Sequence, residues 1–118
     1  YQQPQFPAGQ LSAQPAVRKA LEETIRTSHG GKIEADQLRA MLAIQQQRDR
    51  RMAERLLAAP TPALLIAGGY HAAKSVGVPL HVRDLQPAAA LTVLMLAEQG
   101  VQVDANTADY LWITPSVK

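Results

Sequence analysis

The chain has 118 residues, a length that suits one compact domain, and its net charge of +2 at pH 7 is close to neutral. It contains no cysteine, which excludes disulfides, thiolate metal ligands and a cysteine nucleophile. Basic residues follow one helical segment without interleaved aromatic residues, a pattern that argues against nucleic-acid binding. No apolar run reaches the roughly 20 residues that a transmembrane helix needs.

The first half of the chain predicts two helices after an irregular lead. Residues 1–15 are rich in glutamine and proline and show no periodicity, so we expect them to be irregular. Apolar residues at helical spacing then predict one helix over residues 15–28 and a second over residues 34–58. The charged run Arg48–Arg55, which includes Asp49, is expected on the solvent side of the second helix. Glycines separate the two helices, so we expect an antiparallel pair.

The second half of the chain has a different pattern and predicts strands. Residues 63–67 are short and continuously apolar, which is typical of a strand buried on both faces. A short helix is predicted over residues 70–75, with Gly77-Val78-Pro79 as its stop. Two more strands are predicted over residues 91–96 and 110–114.

These elements predict an α/β fold in a single domain. A helical hairpin over residues 16–60 is followed by a strand–helix–strand–strand half over residues 61–118. Three strands make a thin sheet with open edges, and open edges favour pairing with another strand. We therefore expect this sheet to belong to a larger three-layer domain, completed by an N-terminal part of the same protein or by a second copy.

The turn Gly68-Gly69-Tyr70-His71 is the strongest candidate for function, because it follows a predicted strand and opens a predicted helix. Ligands of open α/β sheets bind outside the carboxyl ends of the strands. If residues 70–75 are helical, Tyr70 and Lys74 lie one turn apart on a common face, with His71 beside them.

Three interpretations of this turn are open. The spacing from Gly68 to Lys74 is close to that of a phosphate-binding loop, but Ala73 replaces the glycine that precedes the lysine, which argues against it. A metalloporphyrin site is the second interpretation, because a phenolate is a good ligand for ferric iron and an imidazole and a cation lie close by. In the third, Tyr70 packs on the sheet and His71 caps a backbone group.

Three segments of the chain follow one another in an order that is typical of a known family. Residues 63–80 combine an apolar strand, an Ala-Gly-Gly-x-His turn and a Gly-Val-Pro stop. Gln47–Ala53 is similar to a Gln-x-x-Arg-Asp-x-x-Met-Ala stretch with a shifted glutamine, and Ala108–Pro115 is similar to a closing strand. Together they resemble the C-terminal part of the ChaN-like haem-binding lipoprotein family. The N-terminal Gly-Glu-x-His-like motif and the lipidated cysteine of that family do not occur in this sequence.

The resemblance implies a haem-binding protein of bacterial iron acquisition that holds haem without catalysis. It implies haem as the cofactor, a periplasmic or outer-membrane location through a lipid anchor that this chain does not contain, and haem binding coupled to a homodimer. Two alternatives stay open. One is an incomplete esterase-like hydrolase, and the other is a structural module that docks on a partner chain.

The candidate haem residues are distributed over the second half of the chain. Tyr70 and His71 are the candidate iron ligands; His71 rests on the resemblance and Tyr70, the preferred metal ligand, on iron chemistry. The family usually has a small or polar residue at the position of Tyr70. The candidates for binding the haem propionates are Lys74, His81 and Arg83. The candidates for stacking on the porphyrin are Tyr110 and Trp112. His81 and Arg83 are expected in a loop after Pro79.

Overall fold

The computed structural model describes residues 3–117 and shows a mixed helix and strand architecture, which confirms the predicted α/β class. The elements in chain order are α1 (Pro15–Ser28), α2 (Ala35–Ala58), α3 (Gly69–Ala72), α4 (Val78–Leu85), β1 (Leu94–Glu98) and β2 (Tyr110–Thr114). A short 3-10 turn, Ala105–Thr107, lies between the two strands. None of the helices within residues 3–117 has both the length and the apolar character needed to cross a membrane.

Helices α1 and α2 form where the sequence predicts them and pack against each other. Pro15 lies in the first turn of α1, where its missing N–H removes no hydrogen bond. After the last turn, the ring of His29 lies 2.8 Å from the carbonyl oxygen of Ile25 and caps the helix. One buried cluster joins the two helices to α4, and its members are Val17, Leu21, Ile25, Leu38, Leu42 and Leu80.

The lead before α1 has no regular structure over residues 3–9, as predicted, but it packs on the helices. The guanidinium carbons of Arg18 and Arg39 lie 4.1 Å and 5.0 Å from the centre of the Phe6 ring. The carboxylate of Asp84 on α4 accepts the backbone N–H of Ser12 at 2.9 Å. Cation–π contacts and this hydrogen bond therefore attach the lead to three helices.

The two strands β1 and β2 pair in parallel, with Leu94 opposite Tyr110 and Leu96 opposite Trp112. Both strands were predicted, although β1 begins three residues later than expected. The predicted strand over residues 63–67 is wrong for the part of the chain that the structure describes. None of its backbone groups bonds to another backbone group there, because no neighbouring strand lies beside it.

The segment after residue 68 departs from prediction in two ways. Helix α3 has only four residues and ends at Ala72. The backbone of Ala73 is extended (φ −66°, ψ 131°), so Lys74 does not share a helix face with Tyr70. The Gly77-Val78-Pro79 stretch, expected as a stop, instead begins α4, because proline suits the first turn of a helix. His81 and Arg83 consequently lie on a helix and not in a loop.

Candidate functional site

The candidate turn is held in place by the start of α4. The backbone N–H groups of His71 and Ala72 donate to the carbonyl oxygen of Gly68 at 3.0 Å and 2.9 Å. Gly77 passes so close to α3 that a Cβ atom on it would lie 2.2 Å from the carbonyl oxygen of His71. Because a side chain has no room here, only glycine lets the chain fold back against the turn. The backbone of His71 is therefore tightly constrained.

A buried carboxylate of α2 lies behind this turn. Asp49 is fully buried, and its Oδ1 lies 2.5 Å from Nδ1 of His71. This position corrects the expectation that Asp49 faces solvent, because it lies on the inward side of α2 together with Leu42, Gln46 and Ala53. Burial raises the pKa of the Asp49 carboxyl, and the hydrogen bond and charge of His71 oppose part of that rise.

The functional groups of Tyr70 and His71 remain available to a ligand. The side chain of His71 is 32% exposed, and its Nε2 is not among the buried polar atoms of the described chain. Tyr70 is 64% exposed. Its hydroxyl makes no hydrogen bond to any group within residues 3–117. A phenol and an imidazole nitrogen thus point out of one short turn without competing partners in this part of the chain.

Lys74 is engaged with the strand half of the molecule. Its Nζ donates to Oδ1 of Asp109 at 2.5 Å, and its backbone N–H donates to the carbonyl oxygen of Thr107. The hydrogen bond from Lys74, and then that from the backbone N–H of Val93, lowers the pKa of the Asp109 carboxyl. A haem propionate would have to compete with Asp109 for this cation.

The other two propionate candidates lie on α4 and not on the turn itself. His81 is fully buried, and neither of its ring nitrogens has a partner in the described chain, so a propionate cannot reach it in this conformation. Burial lowers the pKa of His81 to about 4, against the opposing charge of Asp84. Arg83 is exposed on α4 and lines a cavity of about 260 Å³ together with Gln10, Leu11, Asp84 and Pro87.

The two stacking candidates lie on the outer face of the sheet. Tyr110 and Trp112 are both exposed and pair with Leu94 and Leu96. Successive side chains of a strand point to opposite faces of the sheet. The two rings therefore lie on the face that is opposite to the Met95 side chain. Met95 faces the turn, since its sulfur lies 3.7 Å from the position of a Cβ atom on Gly69. The structure therefore does not bring these two rings to the face of the sheet that meets α3.

A groove beside Tyr70 was not predicted from the sequence. It has a volume of about 350 Å³ and is lined by Tyr70 and by residues of α1, namely Ala20, Glu23, Thr24, Thr27 and Ser28. This volume lies at the lower end of the range of small-molecule sites. The phenol and the imidazole fit ferric iron as donors, but this groove, whose lining is half polar, does not by itself suit the apolar faces of a porphyrin. Within residues 3–117, no three His, Asp, Glu or Cys side chains cluster as a metal-ion site.

Comparisons with known proteins single out one family. A family model described as haem-binding uptake, Tiki superfamily, ChaN, matches residues 1–82, a segment that contains both Asp49 and the turn. A solved structure titled "Cofacial heme binding to ChaN of Campylobacter jejuni" is 34% identical and superposes with a TM-score of 0.82. The superposition covers 91% of this chain and 42% of that one, so the chain spans less than half of its solved relative. Comparison with curated proteins returned no match.

Proposed function

Because the chain belongs to the ChaN family of haem-binding uptake proteins, we propose that it binds haem at the turn Gly68-Gly69-Tyr70-His71. One observation carries this proposal: a solvent-exposed phenol and an accessible imidazole nitrogen lie side by side on a turn within the segment that matches the family. The solved relative, which binds haem cofacially according to its title, supports it.

We assign the iron to Tyr70 first and to His71 as the alternative. Ferric iron is a hard acid and binds phenolate, as it does in catalase. The exposed hydroxyl of Tyr70 has no hydrogen bond to give up in the described chain, so iron can displace its proton without breaking an internal contact. Lys74 is proposed as the propionate partner once it exchanges Asp109 for the ligand.

We propose that the protein holds and passes on haem without changing it chemically, outside the cytoplasm. The uptake role of the family supports an extracytoplasmic site. A periplasmic or outer-membrane location, a lipid anchor and a homodimer belong to the same proposal, and they rest on the resemblance to the lipoprotein family. The groove beside Tyr70 has a half-polar lining and does not suit the apolar faces of a porphyrin. An apolar surface from a second copy or from further chain of the same fold would cover those faces.

One observation supports a hydrolase as the second candidate. A buried aspartate that holds the ring of a histidine is the base half of a Ser-His-Asp triad, and Asp49 and His71 form such a pair. No serine or threonine hydroxyl bonds to His71 within residues 3–117, so the nucleophile would have to come from elsewhere. Release of nitrophenol from short-chain nitrophenyl esters, lost in His71→Gln, would favour the hydrolase over the haem carrier.

A haemin titration tests the proposed function. We expect the protein to shift the Soret band of haemin and to give a high-spin ferric spectrum with a tyrosinate charge-transfer band. Tyr70→Phe should abolish that band, because phenylalanine offers no oxygen to the iron. Tyr110→Phe is the matched control, a tyrosine on the outer face of the sheet, and should leave the spectrum unchanged.

Three results would contradict the assignment. If the Soret band of haemin stays as it is in buffer, the protein does not bind haem. If Tyr70→Phe keeps the tyrosinate band and Tyr110→Phe loses it, the ligand is on β2. A low-spin imidazole spectrum that His71→Gln removes would move the iron to His71.

A further inference from the structure

The lead before α1, residues 3–14, is attached to α2 and α4 through side chains. The carboxylate of Asp84 on α4 accepts the backbone N–H groups of Leu11 and Ser12 at 2.7 Å and 2.9 Å, one at each oxygen. Gln46 of α2 donates to the carbonyl oxygen of Ser12 at 2.9 Å. Within the part of the chain that the structure describes, no backbone group of the lead bonds to the backbone of α2, α4 or the strands. The lead can therefore come away from these helices without breaking a helix or the sheet.

His81 lies in the same interface as this attachment. It is on α4, one helical turn before Asp84, and it is fully buried with no partner for either ring nitrogen within residues 3–117. The charges that act on it are those of Asp84 and of Arg50 on α2. Arg50 donates to the carbonyl oxygen of Ala8 in the lead at 2.5 Å. The two side chains whose charges act on His81 are thus two of the side chains that hold the lead.

The electrostatic surroundings of His81 favour a neutral ring. Burial lowers the pKa of His81 to about 4; the negative charge of Asp84 opposes this shift, and the positive charge of Arg50 adds to it. The lead itself carries no charged side chain. The other charged side chains on neighbouring turns are paired with different groups or face solvent: Asp49 with His71, Arg18 with Gln46, and Arg83 in solvent. Asp84 is therefore the carboxylate placed to attract a protonated His81.

A proton on His81 changes what this interface needs. Imidazolium has two N–H donors and no acceptor, and donors that are buried without an acceptor are unfavourable. Asp84 can act as the acceptor because it stays ionised. Burial raises the pKa of Asp84, but the hydrogen bonds from the backbone N–H groups of Leu11 and Ser12 outweigh burial and hold that pKa below its usual value. An Asp84 oxygen that turns to His81 leaves one of these N–H groups without its acceptor.

We propose that the lead is an acid-released strap: protonation of His81 draws Asp84 away from Leu11 and Ser12 and lets water reach the ring, so that the lead leaves α2 and α4 while the helices keep their structure. This device belongs to the free protein and does not depend on haem binding. Above the pH range in which His81 takes up its proton, the strap is closed.

A spin label on the lead measures its release. Because the chain has no cysteine, Gln3→Cys carries a single nitroxide at an exposed position. We expect an immobilised label at about pH 7 that becomes mobile as the pH falls from 6.5 to 4, and that is immobilised again on neutralisation. If His81 regains its usual pKa once the lead is off, the ratio of released to attached lead rises on the order of 100-fold over this range.

Circular dichroism of the same samples distinguishes release from unfolding. The helix signal should stay constant while the label becomes mobile. Loss of the helix signal together with label release would mean that the whole chain unfolds, which would overturn the proposal. A label of equal mobility at about pH 7 and about pH 4 would overturn it as well, because the lead would then stay attached whatever the charge of His81.

Variants assign the release to its two residues. His81→Leu should keep the label immobilised at about pH 4, because leucine takes up no proton. Asp84→Asn should give a mobile label already at about pH 7, because the amide offers one acceptor oxygen in place of two. Asp36→Asn changes an exposed aspartate at the start of α2 and should behave as the parent does. Release of the lead by acid in folded His81→Leu, with the parent midpoint, would overturn the proposal.

The parent protein provides a test that needs no substitution in the interface. In nuclear magnetic resonance spectra recorded against pH, the backbone amide signals of Leu11 and Ser12 should move with the same midpoint as the ring signals of His81. The amide signals of the buried positions Leu21 and Leu42 in α1 and α2 should not follow this midpoint. Different midpoints for the His81 ring and the two lead amides would show that His81 does not control the strap.

Discussion

At the scale of single residues, two buried polar side chains differ in what surrounds them. Asp49 has one hydrogen bond, and it leads to a solvent-accessible imidazole. His81 is equally buried but has no hydrogen bond from either ring nitrogen within residues 3–117. Asp49 is a candidate for function because its hydrogen bond connects it to a group at the surface. His81 affects stability, since a protein interior disfavours the charged imidazolium.

We predict that His81 makes the fold sensitive to acid. Burial lowers its pKa from 6.5 to about 4 in the folded protein, so the unfolded chain binds a proton more readily between these values. The free energy of unfolding should therefore be unaffected by this group above pH 6.5 and fall by up to about 3 kcal/mol as the pH drops from 6.5 to 4.

Urea denaturation at several pH values measures this dependence. His81→Leu should flatten the curve between pH 6.5 and 4, because leucine has no proton to bind. Gln102→Leu is the control at an exposed position without a titrating group and should keep the parent slope. An identical slope in His81→Leu and in the parent would assign the acid sensitivity to other groups.

At the scale of secondary-structure elements, the shortness of α3 decides how the site is built. Four helical residues are enough to place Tyr70 and His71 side by side, and the chain then leaves the helix at Ala73. This exit frees Lys74 to bond with Asp109 next to β2. The turn thus contacts α2 through His71, and Lys74, just after the turn, contacts the strand half. Gly77 at the start of α4 packs against the backbone of the turn.

We predict that Gly77→Ala disturbs the turn, whereas Gly68→Ala does not. A Cβ atom on Gly77 would lie 2.2 Å from the carbonyl oxygen of His71, so the backbone of α3 or α4 must move. We expect a loss of stability of about 1–3 kcal/mol, the usual cost of overpacking. A Cβ atom on Gly68 meets nothing closer than 3.9 Å, and its φ of −60° suits alanine.

Thermal denaturation measures this effect. Gly77→Ala should lower the melting temperature. Gly68→Ala should stay within about 0.5 kcal/mol of the parent, as ordinary surface substitutions do. Equal stability of the two variants would contradict the close packing of α4 on the turn.

At the scale of the whole molecule, the helical part has two buried apolar clusters, whereas the outer face of the sheet has no cover within residues 3–117. Two of the most exposed apolar side chains are Leu64 and Ile66, at 84% and 87% exposure, in the segment where a strand was predicted. Exposed apolar surface of this kind marks a site of association. The chain spans 42% of its solved relative, and we propose that further chain or a second copy covers this segment.

We predict that the protein associates with itself through this segment. Light scattering during size-exclusion chromatography should show a mass above that of one chain, and Leu64→Lys with Ile66→Lys should lower it, because buried lysines repel. The double variant Gln37→Lys and Gln102→Lys adds the same charge at exposed polar positions and should leave the measured mass unchanged. A parent protein that runs as one chain at every concentration would contradict self-association.

Features that depend on local chemistry could be predicted from the amino-acid sequence alone. Helices α1 and α2, the end of α1 at His29 and the place of the candidate turn follow from helical periodicity and from glycine and proline, which act on their own neighbours in the chain. The strands β1 and β2 were found in the same way. The family was found from the order of three motifs, and the family model confirms it.

Which polar residues lie together at the candidate turn depends on how distant segments of the chain pack. Asp49 sits in a run of charged residues and was placed on the solvent side, although its spacing from Leu42 and Ala53 matches the buried stripe of α2. A partner 22 residues away, His71, makes its burial possible. Residues 63–67 failed as a strand for a related reason, since a strand exists only with a neighbour to bond. Burial and pairing depend on distant segments, which local patterns do not contain.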